Sequence, residues 1–290
     1  MEVEKITLHY DIEKFIFENG SVADKLRLIS AGYNGAKKNS AAVIEELKGI
    51  LNPDGGVPFN FEKGNPSSVK ETSEILPLII YLNKKEPDLI KRMVDFLISR
   101  QKNDGGFAEA LNVDPYIEDK WGGITGREWY PVGKSITWLT GKALEALCLA
   151  KIDDKSRIWK ARDYLLYSQN EDGNWPDYKE QNISDPLGTG NILPALTASG
   201  VESDNKVFES GKAALLHHLK NSLETASHLD MVDLIAVGKP NSEKELAVLN
   251  EGLKLISSTQ NKDGGWSQIG VKRSDPELSS ILAFVVKRCC

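Results

Sequence analysis

A short string that ends a helix, makes a tight turn and supplies an aromatic residue recurs along the 290-residue chain. The fullest copies are 169–175 (Gln-Asn-Glu-Asp-Gly-Asn-Trp) and 260–266 (Gln-Asn-Lys-Asp-Gly-Gly-Trp), and related copies lie at 101–107 and 51–57. Apolar residues at helical spacing precede each copy, and the Asp-Gly pair ends the helix because glycine adopts positive φ without steric cost. An internal repeat of this kind constrains the whole fold.

The spacing of the repeat predicts pairs of helices. The glutamine position is occupied by residues 51, 101, 169, 220 and 260, so successive copies are 50, 68, 51 and 40 residues apart. A unit of about 40–50 residues holds two helices of ordinary length and their loops. We therefore predict an all-α chain and a single domain over 1–290, built from five to six pairs of inner and outer helices, with a loop-like insertion at about 107–134.

The predicted helices follow from the apolar periodicity between the turns. The inner helices are expected at 21–31, 73–82, 135–150, 187–199, 227–237 and 275–287. The outer helices are expected at 40–51, 87–100, 156–168, 206–220 and 242–259. The last inner helix has no outer partner downstream, so we expect the amphipathic segment 11–18 to cover it.

The string at 160–175 resembles the QW motif, with Lys-Ala, an aromatic-Leu pair, Gln169 and Gly-x-Trp in order. The string at 252–266 resembles it as well, and Phe107 replaces the tryptophan in a third copy. This motif marks the superfamily of squalene and oxidosqualene cyclases and protein prenyltransferase β-subunits. The resemblance covers about residues 40–290. It implies an α/α toroid and an isoprenoid-handling enzyme of the terpene cyclase or prenyltransferase type, with a polyprenyl substrate in the lumen.

The sequence lacks the short acidic strings that carry the catalytic and metal-binding acids of the superfamily. No Asp-x-Asp-Asp string occurs, and the pair Asp153-Asp154 is followed by Arg157 where a class I synthase would carry its third metal-binding acid. Cys148 lies in an apolar helical stretch without a neighbouring ligand string, which argues against a prenyltransferase zinc site. We therefore predict neither a cofactor nor a metal, and look for the acid elsewhere.

The insertion combines acids, an arginine and aromatic residues, which a mere connection between helices would not need. We predict Asp119 and Glu128 as catalytic acids, Arg127 as an anion-binding residue, and Tyr130 as a proton relay or aromatic wall. A second set of residues is expected to bind substrate, through aromatic faces or at inner-helix N-termini: Phe59, Phe107, Trp129, Trp138, Asp185 and Asp230.

Other interpretations stay open from the sequence alone. Polysaccharide lyases can share the toroid, and in that case Arg127 or Lys134 would act as the base on an acidic sugar. A non-catalytic binding toroid is the third interpretation, because fold does not dictate function. Asp185 and Asp275 lie in matching Ser-Asp-Pro strings, which are typical of helix N-caps followed by proline.

Composition limits the partners. The net charge of −6 comes from mixed acids and bases, so no nucleic-acid footprint is expected. No apolar run reaches the length of a membrane span, and the first residues lack a secretory apolar region. Three cysteines do not form a disulfide framework, which favours the cytoplasm. The expected partner is a small apolar isoprenoid; peripheral membrane contact and oligomeric state stay open.

Overall fold

The computed structural model describes residues 2–82 and 86–290, which form two compact units. Unit 1 combines Met1–Glu46 with Leu215–Cys290, and unit 2 comprises Leu47–Ala214. The single domain over 1–290 stays a prediction.

Helices dominate the described residues. They are α1 (Ile12–Asn19), α2 (Val22–Ala31), α3 (Asn34–Lys38), α4 (Ser40–Ile50), α5 (Val69–Tyr81), α6 (Pro87–Arg100), α7 (Asp114–Trp121), α8 (Gly123–Trp129), α9 (Thr137–Leu149), α10 (Lys155–Leu166), α11 (Pro186–Ala198), α12 (Lys206–Glu224), α13 (Leu234–Val237), α14 (Glu243–Ser258) and α15 (Pro276–Cys289). Short 3-10 turns lie at Phe59–Phe61, Leu111–Val113 and Asp230–Asp233. Two antiparallel pairs of two-residue strands are present, β1 (Val57–Pro58) with β2 (Ser67–Ser68) and β3 (Trp266–Ser267) with β4 (Ser274–Asp275).

In unit 2 the apolar helix α9 lies between α5 and α11, and its other neighbours are α6 and α10. Leu139, Ala143, Leu144 and Leu147 are buried on α9 and recur at helical spacing. Gly141 brings α9 close to α11, because a Cβ there would lie 2.7 Å from the carbonyl oxygen of Asn191. The three inner helices of the unit therefore pack as one layer with α6 and α10 beside it.

In unit 1 the last helix, α15, forms the centre. It packs against α2 and α1 on the N-terminal side of the chain and against α13 and α14 on the C-terminal side. Leu282, Ala283 and Val285 on α15 are buried. The helix α1 thus covers α15, as the periodicity of residues 11–18 predicted.

Every Asp-Gly turn has the same geometry. The glycines Gly55, Gly105, Gly173 and Gly264 have φ values of 88°, 94°, 85° and 97°. The aspartate before each glycine accepts a hydrogen bond from the N–H two residues ahead of it and another from a serine hydroxyl near the start of the next helix. These pairs are Asp54–Ser67, Asp104–Ser135, Asp172–Ser184 and Asp263–Ser274, at 2.6, 2.9, 2.9 and 2.9 Å. Each turn is therefore tied to the beginning of the helix that follows it.

The glutamine and tryptophan of the repeat fasten neighbouring helices. The Gln169 amide donates to the Gly173 carbonyl of its own turn at 2.9 Å and to the Val207 carbonyl of α12 at 2.8 Å. Trp175 is fully buried and donates its indole N–H to the Leu165 carbonyl of α10 at 2.7 Å. Gln260 and Trp266 make the equivalent bonds in unit 1. Buried indoles with a satisfied N–H are structural, as the repeat indicated.

Most predicted boundaries agree with the structure, and four do not. Helix α12 ends at Glu224 rather than at residue 220. Helix α5 begins at Val69 rather than at 73, because the Ser68 hydroxyl caps it by accepting from the Glu71 N–H. The predicted helix 227–237 is a 3-10 turn followed by the four residues of α13, which ends at the positive φ of Gly238. The loop-like insertion contains α7 and α8. Asp185 and Asp275 do cap α11 and α15, as predicted.

We expect Gly173→Ala to lower the free energy of unfolding by about 2–4 kcal/mol. A positive φ costs a residue with a Cβ about 1–2 kcal/mol, and the added Cβ would also lie 2.6 Å from the Ser210 carbonyl oxygen. Gly200→Ala is the matched control, since Gly200 has a φ of 83° and no heavy atom within 4 Å of a built Cβ. Urea unfolding of both variants measures the difference; equal losses would contradict a role for the close backbone contact.

Candidate active site

A cavity of about 580 Å³ opens in unit 2 beside the first turns of α5, α9 and α11. Its apolar and aromatic lining comes from Trp129, Trp138, Leu187 and Gly188. Its polar lining comes from Lys70, Glu74, Lys142, Asp177, Ser184, Asp185 and Asn191. A cavity of this volume with a few convergent polar groups suits a small ligand.

The aromatic wall of the cavity belongs to a larger ring cluster. The Trp129 and Trp138 rings lie 6.0 Å apart, and Tyr130 contacts both, stacked on Trp129 at 5.4 Å and edge-on to Trp138 at 4.9 Å. Trp121 contacts Trp129 at 5.1 Å and joins Phe59 to the cluster at 5.9 Å. Packing of this kind holds the indole faces of the wall in fixed directions.

The charged wall consists of two lysines around one glutamate. Lys142 Nζ lies 3.2 Å from Glu74 Oε1, and Lys70 Nζ lies 3.5 Å from the same oxygen. Lys70 also approaches Glu71 Oε1 at 3.7 Å. Lys70 is in the first turn of α5, and Lys142 is near the second turn of α9. The pair of lysines gives this side of the cavity a group of cationic donors.

Among the acids that line the cavity, Asp177 has a raised pKa. Burial raises the pKa of its carboxyl to about 7, and the negative charge of Asp185 adds to the shift, while a hydrogen bond from Gln181 opposes it. The backbone around Asp177 is fixed, because the Thr137 N–H donates to the Asp177 carbonyl at 2.8 Å and the Asp177 N–H donates to Gln181 Oε1 at 3.0 Å. Near neutral pH a large fraction of this carboxyl therefore carries a proton.

A second group of acids is buried next to the charged wall. The Glu109 carboxyl accepts the backbone N–H of Val69 at 2.9 Å and of Lys70 at 3.0 Å, and the Tyr130 hydroxyl at 2.7 Å. The Ser68 hydroxyl lies 2.8 Å from Glu109 Oε1 and also contacts Glu71. Burial and the Glu71 charge raise the pKa of Glu109. This cluster is saturated with hydrogen bonds and does not line the cavity.

Three of the ten predicted site residues line the cavity: Trp129, Trp138 and Asp185. Phe59 and Phe107 are fully buried behind it. Asp230 belongs to unit 1, where it accepts a hydrogen bond from the Ser222 hydroxyl at 2.8 Å.

The residues predicted to be catalytic have different surroundings. Asp119 and Glu128 are exposed on α7 and α8, and Tyr130 is fully buried against Glu109. Arg127 is exposed and forms a bidentate pair with Asp114, at 2.9 and 2.7 Å, and a further bond to Glu118. Through these bonds the Arg127 guanidinium joins α8 to α7.

The sequence missed Asp177, Lys70, Glu74 and Lys142. Asp177 lies in a Trp-Pro-Asp-Tyr string of a loop, and its burial depends on contacts with α9 that no local pattern reveals. Lys70, Glu74 and Lys142 lie on helices. Charged residues on helices usually face solvent, so their pattern does not indicate a cavity. The one available signal was their position near the starts of inner helices.

Within residues 2–82 and 86–290, no group of three or more His, Cys, Asp or Glu side chains is arranged to hold a metal ion. No helix in the same residues is long and apolar enough to cross a membrane.

Comparison with known proteins finds a similarity to terpene cyclases. No protein-family model matches the chain. Among curated proteins, the drimenyl diphosphate synthase of Streptomyces showdoensis is 24% identical over 286 residues, which cover 94% of this chain and 49% of that protein. The chain thus spans about half the length of this relative.

The solved structures that resemble the chain include the type II terpene cyclase MstE from Scytonema. Its apo form has a TM-score of 0.67 at 16% identity and covers 92% of this chain and 86% of that one. Its complex with the product merosterolic acid A has a TM-score of 0.66 at 16% identity, covering 92% and 85%. Its complex with the substrate geranylgeranyl dihydroxybenzoate has a TM-score of 0.61 at 17% identity, with the same coverage. These likenesses confirm the predicted fold class and the resemblance to the terpene cyclase superfamily.

We expect Asp177→Asn to stabilise the protein at pH 8 by about 1–2 kcal/mol and to have no effect below pH 4. The folded state holds the Asp177 proton up to about pH 7, whereas the unfolded chain releases it near 3.8. Stability of the parent protein is therefore lost as the pH rises between these values, because each pKa unit corresponds to about 1.4 kcal/mol before solvent screening. Asp177→Asn has no carboxyl at this position, so its stability lacks this dependence on pH.

Urea unfolding at pH 4, 6 and 8 measures the effect. Asp153→Asn, at an exposed aspartate of the same unit, is the matched control and should behave like the parent protein at each pH. A constant difference between Asp177→Asn and the parent across this range would contradict a buried neutral carboxyl.

Proposed function

We propose that this chain is an enzyme of the type II terpene cyclase kind, which protonates a polyprenyl substrate in the cavity of unit 2 and cyclises it. The observation that carries the proposal is a carboxyl with a raised pKa, Asp177, in a cavity that also presents the indoles of Trp129 and Trp138. The fold shared with MstE and the similarity to drimenyl diphosphate synthase support the same class.

Asp177 is the proposed proton donor. Its O–H transfers the proton to one carbon of an alkene, the alkene π electrons form the new C–H bond, and a tertiary carbocation develops on the other carbon. A second alkene then attacks the cation and forms the ring bond, and loss of a proton or capture of water ends the sequence. A raised pKa keeps the donor protonated at neutral pH, which is the first requirement of a general acid.

The aromatic wall would stabilise the developing cation. Indole faces attract cations most strongly among the aromatic side chains, by up to about 2 kcal/mol when water is excluded. Trp129 and Trp138 both line the cavity, and Tyr130 fixes their directions through ring contacts. The indole faces of Trp129 and Trp138 and the side chain of Leu187 suit an isoprenoid chain, and these residues favour it over a hydrated sugar.

The lysine pair would hold an anionic head group. Lys70 and Lys142 converge on Glu74 at the cavity and can exchange part of this contact for a ligand oxygen. The name drimenyl diphosphate synthase refers to a diphosphate, and the MstE substrate is a dihydroxybenzoate. Both carry acidic oxygens, so we propose a polyprenyl chain with an acidic head group for this protein.

The sequence-based assignment of Asp119 and Glu128 as acids competes with Asp177. Both side chains are exposed on the insertion, whereas alkene protonation needs an acid shielded from water. Binding in a toroid lumen and a cytoplasmic location stay predictions.

Incubation with farnesyl diphosphate, geranylgeranyl diphosphate and geranylgeranyl dihydroxybenzoate, followed by mass spectrometry of the extracted products, tests the proposal. We expect at least one substrate to give a cyclic product of unchanged elemental composition or with one added water. Asp177→Asn should lower kcat by at least about 100-fold with little change in KM, since the contribution of a general acid is typically of this size.

Three variants assign the acid. Asp153→Asn should retain full activity because its side chain is exposed and outside the cavity. If Asp119→Asn or Glu128→Gln loses activity while Asp177→Asn stays active, the general acid is the corresponding residue of the insertion and not Asp177. The absence of any cyclic product, with all three substrates failing to bind, would refute the proposed class.

A further inference from the structure

Glu109 makes more hydrogen bonds than any role in the proposed chemistry requires. Its side chain is 2% exposed, and it accepts from two backbone N–H groups at the start of α5, from Ser68 and from Tyr130. Its own carbonyl accepts the Gly133 N–H at 2.9 Å. One residue thus joins the beginning of α5 to both ends of the insertion.

The bonds to α5 determine where the charged wall lies. Glu109 caps the helix from a different segment, because the N–H groups of Val69 and Lys70 at the helix start have no partner inside the helix. Lys70 is itself a cavity residue, and Glu74 follows one turn later on the same face. A shift of this helix start would move both charged side chains.

The bond to Tyr130 determines where the aromatic wall lies. The Tyr130 hydroxyl donates to Glu109 Oε1 at 2.7 Å, and its ring packs between Trp129 and Trp138. Because the phenol is fully buried, its hydroxyl has no water as an alternative partner. Loss of this bond would remove the one hydrogen bond that ties the ring to Glu109 and would free the ring to turn.

We propose that Glu109 is a positioning residue that holds the charged wall and the aromatic wall of the cavity at a fixed separation. It contacts neither the cavity nor a ligand, and it acts through Lys70 on one side and Tyr130 on the other. The inference rests on the proposed function for its ligand, a polyprenyl chain with an acidic head group. A merely structural Glu109 would support stability without affecting the match between the two walls.

Tyr130→Phe and Glu109→Gln test the proposal. Tyr130→Phe keeps the ring and removes only the hydrogen bond, while Glu109→Gln keeps one carbonyl oxygen for the helix start. Tyr164→Phe is the matched control, since the buried Tyr164 hydroxyl donates to the Ser135 carbonyl at 3.1 Å and does not line the cavity. The probe is geranylgeranyl diphosphate, with geranylgeraniol as the ligand that lacks the acidic head group.

We expect Tyr130→Phe and Glu109→Gln to weaken binding of geranylgeranyl diphosphate about tenfold, and binding of geranylgeraniol about twofold. The loss should be larger for the charged ligand because it must contact both walls at once. In turnover, KM should rise with kcat changing less than KM. Tyr164→Phe should lower the melting temperature to a similar extent while leaving both affinities within twofold.

Near-ultraviolet circular dichroism supplies a measurement that needs no ligand. The band from the packed indoles should change in Tyr130→Phe and Glu109→Gln and stay unchanged in Tyr164→Phe. Parent-like affinities and spectra in the first two variants, or an equal loss of affinity in the control, would overturn the inference. If the parent protein binds neither probe, the proposed function fails, and the spectra alone decide whether Glu109 positions the aromatic wall.

Discussion

The close contact between each turn glycine and the backbone of a neighbouring helix is the constraint on which the rest of the structure depends. A Cβ at Gly55, Gly105 or Gly264 would lie 2.3, 2.2 or 2.3 Å from a backbone carbonyl oxygen, so only hydrogen fits. These oxygens belong to Arg92, Lys160 and Asp11. The aspartate before the glycine binds a serine at the start of the following helix. One turn therefore fixes the end of one helix, the position of a second and the beginning of a third.

The cavity of unit 2 is a consequence of this arrangement. Because the turns fix where α5, α9 and α11 begin, the first two turns of these three neighbouring helices face one space, and they supply Lys70, Trp138, Lys142 and Leu187. The insertion then closes one side with Trp129. The repeat is a structural device, and the residues that line the cavity differ between its copies.

The sequence predicted the repeat geometry well because its signals are local. The positive φ of Gly173 and the cap at Asp185 depend on residues within a few positions. The cavity acid was not predictable in this way, since the burial of Asp177 comes from its contacts with α9. Composition drew attention to Asp119 instead, but the helices of the insertion, started by the Asp114-Pro115 pair, expose it to solvent.

Two carboxyls of unit 2 have raised pKa values, and their surroundings separate their roles. Glu109 is enclosed and accepts hydrogen bonds from the backbone, a serine and a tyrosine, so it has no access to a ligand and its bonds hold structure. Asp177 lies at a cavity surface with few hydrogen bonds and beside the like charge of Asp185. The same physical cause, burial next to another acid, thus acts on an enclosed carboxyl in one place and on a carboxyl at a cavity surface in the other, and only the second could pass a proton to a ligand.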